Sequence, residues 1–218
     1  MARVGVILSG CGYLDGAEIH ESVLTLLALD RAGAEVSCFA PNVAQRKVVN
    51  HLTHKAQAES RNVLVEAARI ARGRIRDVAQ ADPAALDALL LPGGFGAALN
   101  LCDFAITGPD CTVDPGVARL VRAIHAAGKP IGAICIAPAL IAKLLGDEGV
   151  EVTIGNDAQT AAAIERMGAH HSPCAVDALV VDRLHKVVTT PAYMLGPGPK
   201  EVAAGIERCV TETLALIG

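Results

Sequence analysis

The residues Lys129-Pro-Ile-Gly-Ala-Ile-Cys135-Ile-Ala-Pro138 read as a strand, a one-residue turn and the start of a helix. Small side chains at Gly132, Ala133 and Ala137 let strand and helix approach closely. That is the geometry of a nucleophile elbow, with a cysteine held up at the carboxyl edge of a sheet. The register departs from G-x-S-x-G, and the nucleophile would be sulfur. A cysteine at a helix N-terminus meets the positive end of the dipole, which favours its thiolate. A buried cysteine closing an apolar turn fits the same letters.

Two neighbouring segments could complete such a site. Pro92-Gly93-Gly94 ends another strand at the same edge. Glycines there free backbone N–H groups to face a ligand, and with the Ile136 amide they could form an oxyanion hole. A tight turn needing positive φ is the plainer account. Asp15-Gly-Ala-Glu18-Ile-His-Glu21 opens the first helix. Glu18 and Glu21 share a helix face, so one could reach Cys135 as a proton shuttle. Acids also favour a first helical turn for the sake of the dipole alone.

Other candidates are weaker. Ser9-Gly10-Cys11-Gly12 lacks the G-x-G-x-x-G spacing, and the second strand ends without a ribose-binding acid. His170-His171-Ser-Pro-Cys174 fits no zinc spacing and reads as a solvated turn. His125, on an amphipathic helix, and His185, beside a strand, read as structural. The seven cysteines (11, 38, 102, 111, 135, 174 and 209) include no C-x-x-C pair. They read as free thiols of a reducing cytosol, mostly packing residues.

The elements that must position these residues alternate as βαβ units. Strands are expected at Val4 to Leu8, Glu35 to Phe39, Ala88 to Leu91, Pro130 to Ile134, and near Val152–Ile154, Leu179–Val181 and Val187–Thr189. Glu18 to Ala32 reads as a helix, with Ile19, Val23, Leu26 and Leu27 as its apolar stripe and Gly33 as its stop. Further helices are expected over Arg61 to Ala71, 157–167, 200–216 and Ala137 to Leu145. Asp114-Pro115 opens another, with Val117, Leu120, Val121 and Ile124 buried and Gly128 at its end. Residues 42–60 read as a polar surface connection and 98–114 as an irregular excursion. The expected fold is α/β, one domain over 1–218, with a doubly wound, mostly parallel sheet sandwiched by helices.

Composition narrows the function classes. Apolar residues are 52% and charged residues 19% of the 218, which argues for a packed core. Aromatics are 2% and the net charge is −4, so neither nucleic acid nor an anionic membrane is an expected partner. No apolar run reaches the roughly 18–20 residues that span a bilayer. The N-terminus lacks a secretory h-region and cleavage site and reads as a first strand. A cytoplasmic location is therefore expected.

Several stretches together resemble the ThiJ/PfpI superfamily of class I glutamine amidotransferase-like proteins, and more narrowly its glyoxalase-like ElbB branch. They are the Gly-Ala-Glu-Ile-His-Glu21 opening, the Leu-Pro-Gly93-Gly-Phe-Gly turn and the Ile-Cys135-Ile-Ala-Pro elbow. To these add Val6-Ile-Leu-Ser-Gly-Cys-Gly12, Asn50-His-Leu-Thr53, Glu66-Ala-Ala-Arg-Ile70, Cys111-Thr-Val-Asp114 and Val188-Thr-Thr-Pro-Ala-Tyr-Met194. The resemblance implies a flavodoxin-like sandwich, a homodimer, and no metal or organic cofactor. It implies Cys135 as nucleophile and Glu21 as its acid partner, with Glu18 one turn before it in support. It also implies oxyanion donors at Gly93, Gly94 and Ile136. The chain departs from the superfamily in having Ile136 where many members carry a histidine. Val152-Thr-Ile-Gly-Asn156 likewise lacks the histidine that others place there. The Gly-x-Gln of glutamine amidotransferases is absent after the cysteine. Peptidase and amidotransferase readings are thereby disfavoured.

What the resemblance implies in activity is a cofactor-independent glyoxalase III-type lyase, cysteine-dependent and needing no glutathione. It would convert small α-oxoaldehydes, glyoxal and methylglyoxal, to the hydroxy acids through a Cys135 hemithioacetal. The branch is also linked to isoprenoid biosynthesis. Two other readings use the same thiol: a non-enzymatic redox-responsive or scaffold protein with an oxidisable Cys135, and a deglycase.

Overall fold

A computed structural model describes residues 1–218. In chain order the elements are β1 Arg3–Ile7, α1 Ile19–Arg31, β2 Glu35–Ala40, β3 Val49–Asn50, β4 Lys55–Ala56, α2 Val63–Ile70, β5 Ile75–Asp77 and β6 Ala88–Leu91. A π-helical turn, Ala97–Leu101, then leads into α3 Phe104–Thr107. The rest are α4 Pro115–Ala126, β7 Ile131–Ile134, α5 Ala137–Leu145, β8 Glu151–Val152, α6 Ala158–Arg166, β9 His170–His171, β10 Val180–Asp182, β11 Val187–Thr190 and α7 Pro199–Ala215.

The central sheet has seven strands in the order β10-β11-β7-β6-β1-β2-β5. All its pairings are parallel except β10 with β11 at one edge. Strand pleat divides the core. Val4, Val6, Ala88 and Leu90 face α1 and α7, whereas Ile7, Leu89 and Leu91 face α4 and α5. Helices cover both faces, which is the flavodoxin-like, doubly wound arrangement. Gly132 sits in β7 beneath α7. A Cβ there would come 2.7 Å from Thr213 Oγ1, so only glycine allows this approach.

Helix α4 forms as its sequence dictates. Asp114 Oδ1 accepts from the amides of Gly116 and Val117, at 2.9 and 3.1 Å, and Pro115 fills the first turn. Val117, Leu120, Val121 and Ile124 are fully buried. Helix α1 does not follow its apolar stripe. Glu21, Ser22, Thr25, Ala28 and Leu29 face inward, while Ile19, Val23 and Leu27 are 40–48% exposed. Helical geometry turns about 100° per residue, so placing Glu21 inward sets Val23 on the opposite side. The buried face of Glu21, Ser22, Thr25, Ala28 and Leu29 therefore leaves the apolar stripe outside.

One other expectation is corrected, and two short strand features were not anticipated. Ile75–Asp77 is a strand at the far edge of the sheet. Its three residues are too few to carry a period. His170–His171 forms a short parallel pair with β8, and His171 Nε2 accepts from the Ile154 amide, so this is no solvated turn. Residues 42–60 carry a small antiparallel pair, β3 with β4, within the expected surface connection. No helix is long and apolar enough to cross a membrane.

Candidate active site

The carboxyl ends of β6, β7 and β11 converge with the first turn of α1. After Ile134 the chain turns through Cys135 at φ +62°, left-handed backbone that an L-residue rarely adopts. The Cys135 amide donates to the Thr190 carbonyl at 2.9 Å, which ties the strained residue to β11. Strain of this kind persists where surrounding structure over-determines it. The side chain is 7% exposed, at the floor of a cavity of about 410 Å³.

Glu21 is fully buried beside it. Its Oε2 accepts from the Gly93 amide at 2.9 Å, and its Oε1 from the Tyr193 amide at 3.2 Å. Its carboxyl and the Cys135 thiol lie close enough to shift each other's ionisation. Burial, followed by the neighbouring charge of Glu18, pushes the Glu21 carboxyl up to about 7. Burial also raises the Cys135 thiol well above its ordinary range, and the Glu21 charge adds to this. The expected thiolate at the helix N-terminus is thus corrected. Burial pushes the thiol up instead, beside a carboxyl that burial also raises.

The two glycines differ in task. The Gly93 amide is engaged by Glu21. A Cβ on Gly93 would lie 2.5 Å from that of Cys135 and 2.8 Å from Glu21 Oε2. The amides of Gly94 and Ile136 lie near the Cys135 sulfur and favour its charged form. Of these three amides, Gly94 and Ile136 lie near the sulfur, and Gly93 is engaged by Glu21. Gly94 adopts φ +91°, and a Cβ there would run into the backbone of α1's entry.

Glu18 has a different place from Glu21. As the N-cap of α1 its Oε2 accepts from the Glu21 amide at 2.6 Å, and its own amide donates to the Gly93 carbonyl at 3.0 Å. It also lines the cavity. Neither histidine position noted in the sequence supplies an imidazole here, and no histidine lines the cavity. His20 reaches it only indirectly, with Nδ1 2.7 Å from the Tyr193 hydroxyl. His125 and His185 pair instead with Glu148 and Asp182, at 3.0 and 2.7 Å. No group of three or more His, Cys, Asp or Glu side chains is placed to hold a metal ion. All seven cysteines are free.

The cavity walls hold residues that motif reading did not single out: Tyr13, Phe95, Phe104, Asp157, Thr160 and Tyr193. The excursion after β6 brings Phe104 to the rim. It is fixed by Asp103, whose carboxylate accepts from the Thr112 amide at 2.6 Å and from the Thr112 and Thr107 hydroxyls. A signal for these residues was present in the sequence. Rings are so scarce in this chain that each one marks its segment.

Residues 11–182 match the DJ-1/PfpI family. The human "Glutamine amidotransferase-like class 1 domain-containing protein 3, mitochondrial" is 48% identical over all of this chain and 84% of its own length. The rat "ES1 protein homolog, mitochondrial" is 47% identical, again over the whole chain and 85% of its length. These names overturn the cytoplasmic expectation. Free thiols report redox conditions, not an address. The crystal structure of an isoprenoid biosynthesis protein with an amidotransferase-like domain from Ehrlichia chaffeensis superposes with a TM-score of 0.94 at 38% identity, covering both chains fully. Glyoxalase III from Candida albicans shares the fold, with a TM-score of 0.65 at 13% identity over 100% of this chain and 98% of its own.

Proposed function

The chain belongs to the DJ-1/PfpI family, and from that premise we propose that it is a cofactor-independent, cysteine-dependent α-oxoaldehyde lyase of the glyoxalase III type. The observation that carries the reading is the buried Cys135–Glu21 pair, with the Gly94 and Ile136 amides near the sulfur. A thiol with one carboxyl partner and no imidazole suits an aldehyde better than an amide. An aldehyde offers an open electrophile and needs no leaving amine protonated.

The steps balance without an outside oxidant. Cys135 sulfur adds to the aldehyde carbon as its proton passes to Glu21, and the new alkoxide sits against the Gly94 and Ile136 amides. The proton then moves to that oxygen, giving the hemithioacetal. Glu21, again a carboxylate, removes the proton from the sulfur-bearing carbon and returns it to the adjacent carbonyl carbon through an enediol, while the hydroxyl proton passes to the neighbouring oxygen. One carbon is oxidised to a thioester and its neighbour reduced to an alcohol. Water cleaves the thioester, releasing glycolate from glyoxal or lactate from methylglyoxal and restoring the thiol. Glu18 supports Glu21 by fixing the first turn of α1 and by keeping its carboxyl near neutrality.

Turnover of methylglyoxal to lactate by metal-free protein tests this. Cys135→Ala is expected to fall to background and Glu21→Gln by about 10²–10⁴-fold. Wild-type kcat/KM is expected to rise with pH up to about 7, where Glu21 becomes the base, and then level. Full activity in Cys135→Ala would sink the reading. A homodimer is part of the proposal, supported by the outward stripe of Ile19, Val23 and Leu27 on α1. Wild type is expected to sediment as a dimer and Val23→Asp as a monomer, whereas a wild-type monomer would remove that element.

A further inference from the structure

Resting on the oxoaldehyde reading, we infer that the substrate is a neutral α-oxoaldehyde carrying an aromatic ring or similarly flat apolar group, larger than glyoxal or methylglyoxal. The chain has three phenylalanines, two tyrosines and no tryptophan. Phe39 is in the core at 1% exposure. The remaining four rings, Tyr13, Phe95, Phe104 and Tyr193, all line the cavity above Cys135. They come from four separate places: the loop after β1, the turn after β6, helix α3 and the turn after β11. Phe104 and Tyr193 also pack against the core, whereas Tyr13 and Phe95 belong to neither core cluster.

The rings are held in fixed attitudes. Tyr13 meets the His51 ring edge-on, with centroids 5.4 Å apart at 78°. Phe95 lies under Lys47, whose Nζ is 5.8 Å from the ring centroid. The Phe95 amide donates to the Tyr13 carbonyl at 2.8 Å, joining the two rim rings. Tyr193 is held by His20 at 2.7 Å. Tyr13 and Phe95 stay 41% and 50% exposed, so neither ring is enclosed by the protein. Oriented rings offer edge and face contacts to another π-system at low entropic cost.

Size and charge agree with a ring-bearing, uncharged substrate. A cavity of about 410 Å³ is far larger than glyoxal needs and lies among those that take drug-sized ligands, about 300–1,000 Å³. Nine of its thirteen lining residues are hydrophobic. No Lys, Arg or His lines it, while Glu18 and Asp157 do. A carboxylate or phosphate tail inside would meet these two acidic side chains, with Lys47 standing only over the outer Phe95 ring.

The test compares kcat/KM for phenylglyoxal, methylglyoxal and glyoxal in wild type and Phe95→Ala. In parallel, calorimetry on the inactive Cys135→Ala protein measures binding of 2-hydroxyacetophenone against hydroxyacetone. Wild type is expected to favour phenylglyoxal by about tenfold or more, and Phe95→Ala to lower that ratio by about tenfold. The aryl ketol is expected to bind Cys135→Ala at least about tenfold tighter than hydroxyacetone. Equal or better use of methylglyoxal, with equal binding of the two ketols, would overturn the ring specificity and leave the glyoxalase reading standing. Tight aryl binding without turnover of any oxoaldehyde would sustain the ring site and overturn the reaction assigned to it.

Discussion

Helices α4 and α1 lie on opposite faces of the same sheet and obey different rules. Helix α4 buries Val117, Leu120, Val121 and Ile124, and its Asp-Pro opening caps it. Helix α1 buries Glu21, Ser22 and Thr25 and shows Ile19, Val23 and Leu27 to solvent. Both are built from good helical sequence, and both touch the core. The difference is that α1 buries a carboxyl beside Cys135 along with Ala28 and Leu29, and that inner face leaves Ile19, Val23 and Leu27 outside. A helix that only packs follows its apolar stripe, whereas a helix that holds a functional side chain need not.

Substitutions on the two helices separate these rules. Leu120→Ala on α4 is expected to cost about 3 kcal/mol of stability, by lost burial and a residual cavity, and by the same amount at every pH. Glu21 behaves differently. Its carboxyl binds a proton more tightly folded than unfolded, because its folded value is raised to about 7 from 4.5. The resulting stability is fully present below pH 4.5, is lost as pH rises to about 7, and is constant above. Measured by urea unfolding, wild type relative to Glu21→Gln should therefore lose about 3 kcal/mol across that interval. Parallel curves for wild type and Glu21→Gln would mean that the carboxyl titrates as if solvated and that α1 carries no such burden.

A smaller effect is expected at Thr25. Its hydroxyl is buried on α1's inner face with no hydrogen-bond partner. Thr25→Val keeps the shape and removes the unpaired group, so thermal unfolding should show about 1 kcal/mol of added stability. A loss of stability would point to a partner for that hydroxyl and narrow the contrast between the helices.

The sequence carried much of the frame. Apolar runs located the strands of the sheet apart from Ile75–Asp77, and Asp114-Pro115 and Gly128 marked α4 at both ends. Small residues around Cys135 announced a tight turn, and φ +62° is its realised form. Spacing showed that Glu18 and Glu21 share a face, but not which of them enters the core, because that depends on how α1 seats against the sheet. Gly93 and Gly94 looked equivalent as letters. Only the fold separates an amide spent on Glu21 from one near the sulfur. The thiol's ionisation was misjudged for a similar reason, since the helix dipole is local and readable whereas burial is a property of the assembled site. The cavity rings went unremarked singly because their meaning lies in convergence from distant segments.

That convergence has an optical consequence. With no tryptophan in the chain, Tyr13 and Tyr193 are its only strong near-ultraviolet chromophores, and both stand at the mouth of one cavity. Intrinsic tyrosine emission from this protein is therefore a signal from the site alone. Occupancy by a ligand should be readable, without any attached label, as a change in the intensity or lifetime of that emission.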